Sequence, residues 1–267
     1  MNPAPSPQLN AIVLAADRGR DDPVTLAAGV AAKCLTPIAG TPMVVRVVRA
    51  LEQSRRVNSI LLCGPAAQTL QGSPELRQML SGGAVRWIAP EATPAASAAA
   101  ALAALPEDVP VLLTTGDHAL LSPDMVRHFL GEASASECDV AVALAAHAMV
   151  QASHPRTRRT VLRFSDGHFC GCNLFAFLSP RGRRMAQLWQ QVEQRRKQPL
   201  RVIGLLGWGA MALYAMGRLS LAGAQRRLSR MADIRIGAVS MPFAEAAIDV
   251  DSVQDLALVR TIVARAG

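Results

Sequence analysis

The sequence predicts an α/β protein built on a mostly parallel sheet, and three observations lead there. Short apolar runs rich in branched side chains recur at residues 11–16, 59–63, 84–89, 110–115 and 139–145. Runs of that length are strands buried on both faces. Stretches with helical spacing separate them, and strand alternating with helix in this rhythm makes βαβ units and a parallel sheet. Finally, 267 residues that are 51% hydrophobic can bury a full core, in one domain or one domain with a small appendage.

The first strand, 11–16, stops at Asp17-Arg18-Gly19-Arg20-Asp21-Asp22-Pro23, where glycine, proline and five charged side chains favour a solvated loop. A loop at the carboxyl end of the first strand is where open α/β sheets bind ligands. Arg18 and Arg20, with Lys33 further on, offer positive charge and forked donors for phosphate oxygens, so the loop is expected to hold a polyphosphate. A helix follows over 43–51, and the second strand, 59–63, ends at Gly64-Pro65. Next come a helix over 73–80, a glycine pair at 82–83 and the third strand, 84–89. Thr93-Pro94-Ala95-Ala96-Ser97 opens an alanine run to Leu105 with almost no polar face. It reads as a helix buried against the sheet whose first turn stays open to an anion.

The fourth strand, 110–115, runs into Gly116-Asp117-His118. A carboxylate just past the carboxyl end of a central strand, opposite a phosphate loop, suits a divalent cation, the plainer role being a cap. Ser122 is expected to cap the helix over 124–130. His118 reads as a substrate contact or a solvated loop side chain. After the strand 139–145, Arg156, Arg158 and Arg159 crowd into four residues, either to grip a phosphate or as a solvated basic loop. Strands 160–164 and 169–177 form a hairpin through Asp166-Gly167, and Asn173 in the second of them needs buried partners or a ligand.

An amphipathic helix spans 180–198. Residues 202–217 are uncharged and short of the roughly 20 needed to span a membrane, which favours a buried helical subdomain, with interfacial membrane docking the alternative. A basic helix over 225–231 and a strand over 238–241 follow. Asp249 and Asp251, one residue apart on an extended segment, point the same way and would complete a cation site with Asp117. Ser252 is expected to cap the last helix, 253–264.

Composition sets outer limits. Aromatics are only 4%, so alanine, valine and leucine fill the interior. The formal charge of +8 suits anionic ligands, but no aromatic-interleaved basic stripe or nucleic-acid motif appears, which argues against nucleic acid. Five scattered cysteines without a CxxC pair imply reduced thiols in a cytoplasmic protein. The opening MNPAPSPQLN has no basic secretory n-region, and residues 1–10 are expected to form a flexible tail.

The order apolar strand, basic loop, Lys33, then LTPIAGTPM at 35–43 resembles the nucleotidyltransferases of the MobA-like and sugar-phosphate type. That family opens on LAAG-x-G-x-R, a variable stretch, a lysine and a leucine-proline-glycine-proline run; this chain has Asp17 where the family has its first glycine. The closing IDVDSVQDLALV is similar to the family's D-x-D-(T/S)-x-x-D-L ending. The resemblance spans almost the whole chain. It implies a three-layer α/β/α sandwich of the nucleotide-diphospho-sugar transferase type, one domain over 11–267 with a small helical insertion at about 180–232. It further implies that Lys33, with Arg18 or Arg20, grips a triphosphate. Leu14, Ala15, Ala16, Gly19, Thr93, Ser97 and Gly116 would line the nucleotide. Asp117 and Asp249, with Asp251 beside them, would hold Mg²⁺ (or Mn²⁺), and Arg156, Arg158, Arg159 and Asn173 would face a phosphorylated acceptor. The function expected is transfer of NMP from CTP or another NTP to a sugar phosphate or phospho-alcohol, releasing pyrophosphate, an EC 2.7.7 type of reaction. Two alternatives are a glycosyltransferase of the same fold using an NDP-sugar, and a catalytically silent nucleotide- or membrane-binding protein with peripheral contact through 202–217.

Overall fold

Strand β1 (Leu9–Leu14) runs through the middle of the sheet, hydrogen-bonded to a parallel neighbour on each side, and its Ala11, Ile12 and Val13 are wholly buried. The computed structural model describes residues 9–16, 22–195 and 208–266. The strand begins two residues before the expected tail ends. Asn10 interrupts the apolar pattern, yet its carboxamide oxygen accepts from Ser59 Oγ at 2.7 Å on the adjacent strand, so a polar side chain sits satisfied in the sheet.

After helix α1 (Pro23–Ala28) and a 3₁₀ turn (Lys33–Leu35), the short strands β2 (Pro37–Ile38) and β3 (Thr41–Pro42) pair and lead into α2 (Met43–Gln53). Strand β4 (Val57–Cys63), helices α3 (Ala67–Gly72) and α4 (Pro74–Ser81), strand β5 (Val85–Ile88), helix α5 (Pro94–Ala103) and strand β6 (Val111–Thr115) follow. Helix α6 (Pro123–Ala135) starts on Ser122 Oγ, which accepts from the Met125 amide as expected. Then come β7 (Val140–Ala146), α7 (His147–Ser153), the hairpin β8 (Leu162–Phe164) and β9 (Gly167–Phe177), and α8 (Arg184–Arg195). The chain closes with α9 (Trp208–Ala215), α10 (Leu221–Ala232), β10 (Ile236–Met241), a 3₁₀ turn (Ala244–Ala247) and α11 (Val253–Ala266).

The sheet order is β10-β7-β9-β6-β1-β4-β5, with β8 on β9, and β9 alone runs against its neighbours. Alternation along β1 divides the core into the layers the sequence predicts. Leu9, Ala11 and Val13 join α2 and α6 through Val44, Val47, Leu51 and Phe129, while Ile12 joins Ala98 and Leu102 of α5 and Met185 of α8. A third cluster, at the carboxyl end of the sheet, joins Val24 of α1, Ile38 of β2, Ile248 and Val250 of the closing segment, and Leu256 and Val259 of α11.

Helix α8 is part of this sandwich rather than of an appendage. Phe175 of β9 meets Trp189 edge to face with centroids 4.7 Å apart. Just before α8, the Arg183 guanidinium donates to the carbonyls of Leu102, Leu105, Pro106 and Val109 at the carboxyl end of α5. At the other end of α5, the Glu193 carboxylate accepts from the Ala95 amide at 3.2 Å. Of the expected buried subdomain at 202–217, residues 202–207 lie outside the described residues; for the rest the expectation is corrected, since between Gly209 and Gly217 only Ala210 is buried.

Two glycines let strand ends approach each other. Gly64 has φ +89°, and a Cβ there would lie 2.8 Å from the Ala16 amide nitrogen. Gly116 lies so close to Ala15 that an added Cβ would meet the Ala15 Cβ at 3.1 Å. Replacing Gly64 by alanine is expected to cost about 1–3 kcal/mol of stability through left-handed strain and displacement of the post-β1 backbone, measured by urea unfolding. A loss below 0.5 kcal/mol, the usual span of surface substitutions, would contradict this close packing.

Candidate active site

Lys33 is the organising side chain of the carboxyl end of the sheet. The 3₁₀ turn after β1 tucks it to 7% exposure, and its ammonium donates to Asp117 Oδ2 at 2.6 Å and to Asp251 Oδ1 at 2.9 Å. Asp117 sits just past β6 because Gly116 ends the strand, its amide bonded to the Leu14 carbonyl at 2.8 Å. The closing segment is fastened alongside by the Val250 amide, which donates to the Asp117 carbonyl at 3.1 Å. Three stretches far apart in sequence therefore converge on one ammonium. Burial on its own would lower the Lys33 pKa, but Asp117 and then Asp251 outweigh it and hold it above its ordinary 10.5.

A second cation organises the other side. The Arg159 guanidinium binds both Asp249 and Asp255, and its Nε donates to Thr157 Oγ1 at 3.0 Å. Asp249 also accepts from Asn173 Nδ2 at 2.6 Å. Asn173 reaches it because the β7–β9 ladder slips between Val142 and Leu144, and Asn173 takes a left-handed φ of 48° in the bulge. Bulges re-aim side chains in this way, and asparagine tolerates that backbone better than most residues. Burial first, then Asp117 and Asp251, push the Asp249 carboxyl pKa up, with Arg159 opposing. Asp255 in addition accepts from the Ser252 hydroxyl at 2.7 Å, while Ser252 Oγ takes the Asp255 amide, so the expected cap on the last helix is present.

The outcome is a small cleft in which four carboxylates, Asp117, Asp249, Asp251 and Asp255, face two cations. Among the described residues no three acidic, histidine or cysteine side chains are already gathered as a metal cage. Lys33 stands between Asp117 and Asp251, and Arg159 and Asn173 hold Asp249. Asp117 Oδ1 nevertheless is buried with no hydrogen-bond partner among the described residues. An orphaned carboxylate oxygen in a site of excess negative charge fits a hard divalent cation.

Leu14, Ala15, Ala16 and Gly116 form the floor beside Lys33, with Ala15 and Gly116 buried and Ala16 exposed. Arg18, Gly19 and Arg20 lie outside the described residues. Thr93 and Ser97 stand at the start of α5. Thr93 Oγ1 caps α5 through the Ala96 amide, and Ser97 is 1% exposed with its hydroxyl accepting from the Glu91 amide, so both hydroxyls serve the loop and helix themselves. Arg156 and Arg158 are exposed on the segment before β8, whereas Arg159 is committed to carboxylates. His118 is neither solvated nor at the surface: it is 1% exposed, burial lowers its pKa to about 4 against the pull of Asp117, and the ring is neutral at pH 7. Sequence reasoning passed over Asp255 and Glu193. The spacing from Ser252 to Asp255 matches an N-terminal capping pattern and signals the first; nothing local signals the second.

A MobA-like NTP transferase domain matches residues 11–233. The chain belongs to the MobA-like NTP transferase family. No protein of curated function matches it in sequence. Among solved structures, this MobA-like chain is similar to a hypothetical transferase from Thermus thermophilus, with 28% identity, TM-score 0.76 and coverage of 93% of this chain and 99% of the other. The 4-diphosphocytidyl-2C-methyl-D-erythritol synthase from Anaerococcus prevotii shares 11% identity and the fold, with TM-score 0.58 over 97% and 99% of the two chains. A CMP:2-keto-3-deoxy-manno-octonic acid synthetase in complex with CTP shares 14% identity, with TM-score 0.57 over 97% and 100%. The MobA-like fold thus carries its Lys33 and Asp117 at the carboxyl end of the two central strands.

The Lys33 pairs make two linked predictions. Asp117→Ala should cost about 3 kcal/mol, because it leaves a buried ammonium short of its closer partner. Asp251, whose side chain is 43% exposed, should cost under about 1 kcal/mol on the same change. Because the folded Lys33 pKa is raised, its contribution is complete below pH 10.5 and is lost as pH climbs through the folded value. Urea unfolding from pH 7 to pH 11 should show that alkaline decline in the native protein and a shallower one in Asp117→Ala; equal slopes would refute the coupling.

Proposed function

We propose that the chain is a nucleotidyltransferase of the EC 2.7.7 type, moving an NMP group from an NTP to a phosphorylated small molecule. An oxygen of the acceptor's phosphate attacks the α-phosphorus, a new P–O bond forms, the bond from that phosphorus to the bridging oxygen breaks, and pyrophosphate leaves. The observation that carries the reading is the meeting of Lys33, Asp117 and Asp251 at the carboxyl ends of β1 and β6, in a chain of this family. Open α/β sheets bind their ligands at that edge.

Phosphoryl chemistry of this kind needs positioning and charge neutralisation, with no covalent protein intermediate. Lys33 supplies positive charge where a triphosphate would lie, and Arg18 and Arg20 belong to the same loop by sequence. Asp117 and Asp249 are the residues that would hold Mg²⁺ (or Mn²⁺), with Asp251 beside them on Lys33. A bound divalent ion supplies Lewis acidity and screening of the phosphate charge. Arg159 and Asn173 keep Asp249 in place, and exposed Arg156 and Arg158 are the groups available to a phosphorylated acceptor. CTP heads the candidate nucleotides, because two of the similar structures carry cytidine chemistry in their names. A cytoplasmic setting, where NTPs and Mg²⁺ meet, agrees with five cysteines scattered along the sequence without a CxxC pair.

The test is pyrophosphate release with Mg²⁺, each NTP and a panel of phosphosugars and phospho-alcohols. Release is expected with at least one pair, falling about 100-fold or more in Asp117→Ala and in Lys33→Ala. No release above the Asp117→Ala background would refute the reading, and NDP release from an NDP-sugar would replace it with glycosyl transfer.

A further inference from the structure

Away from the carboxylate cleft, the described residues hold a second concentration of charge, and it is all of one sign. A cavity of about 350 Å³ between α9 and α10 is lined by Arg218, Arg226, Arg227 and Arg230, with Leu213 and Leu219 on its apolar side. Arg226, Arg227 and Arg230 follow Gly223 at spacings of three, four and seven, which places them on one face of α10. No carboxylate lines the cavity, and none of the four arginines has an ion-pair partner among the described residues. Two acids that border this corner are spent elsewhere. Asp166 accepts from the Leu221 amide at 2.9 Å, and Asp233 pairs with Arg181 and Arg184.

Among the described residues nothing covers the apolar side of this corner either. Helix α9 carries no charge, Gly209, Ala212 and Ala215 are exposed, and Met216 just beyond it is 60% exposed. Arg227 runs alongside, since a Cβ on Gly209 would lie 3.8 Å from its Nη1. The nearest ring offers no platform for a base: Tyr214 packs edge to face on Phe164 at 5.9 Å and its hydroxyl accepts from the Arg163 amide. Converging guanidiniums beside exposed aliphatic surface fit a phosphate-bearing interface with an apolar layer behind it.

We propose that the α9–α10 corner docks on an anionic membrane, lipid phosphates entering the arginine cavity and Met216 entering the boundary between headgroups and acyl chains. The contact is peripheral, since among the described residues no helix is long and apolar enough to cross a membrane. It is independent of the nucleotidyltransferase reading, because no residue of the carboxylate cleft takes part.

Co-sedimentation of the full chain with phosphatidylcholine vesicles, with and without phosphatidylglycerol, tests it. Binding is expected only with phosphatidylglycerol and should weaken steeply with salt, a readout that needs no variant. Arg226→Ala with Arg230→Ala should weaken partitioning about 25-fold, or roughly fivefold per arginine, with unchanged thermal unfolding. Met216→Ser should weaken it severalfold without altering the salt dependence. Equal binding to neutral vesicles, no binding to either kind, or full binding by the double variant would each overturn the proposal. So would inorganic pyrophosphate raising the melting temperature through these arginines while vesicles stay unbound, which would assign the cavity to a soluble phosphate.

Discussion

A buried ammonium with two carboxylates holds this architecture together at its functional end. At 7% exposure the charge on Lys33 is stabilised by Asp117 and Asp251, which come from segments far apart in the sequence. The requirement that the charge be matched brings the segment after β1, the turn after β6 and the closing segment together. The backbone bond from Val250 to Asp117 and the apolar cluster of Val24, Ile38, Ile248 and Val250 then make the meeting rigid.

The single reversed strand does comparable work on the opposite side. Strand β9 pairs with β6 only through Phe175–Phe177, and its ladder with β7 slips around Asn173, which turns that side chain towards Asp249. Asn173 and Arg159 hold Asp249, whose pKa is raised first by burial and then by the neighbouring Asp117 and Asp251. Helix α8 keeps the opposite layer in register by grasping α5 at both ends, through Arg183 and Glu193.

The formal charge of +8 takes on a different meaning once positions are known. Among the described residues the carboxyl end of the sheet is a carboxylate centre with two committed cations, and arginines without an ion-pair partner gather instead at the α9–α10 corner. Charges of opposite sense are kept apart, so the fields of the two regions do not cancel. Overall charge is a sum, and it hides this separation.

The alternation of buried strands and helices, the helix caps at Ser122 and Ser252, and the short motifs that carry Lys33, Asp117 and Asp249 were legible in the chain itself. Each depends on neighbours within a few residues, or on short motifs that survive as local spacing. What the chain could not disclose were long-range partnerships: that Ser97 is spent on the Glu91 amide, that Arg159 belongs to two carboxylates rather than lying open to solvent, that His118 is interior, and that Ala212, Ala215 and Met216 at α9 are exposed. Those outcomes are decided by which element packs over which, and packing is a property of residues tens to hundreds of positions apart, whose competition for the same buried volume and the same hydrogen bonds is settled only in three dimensions.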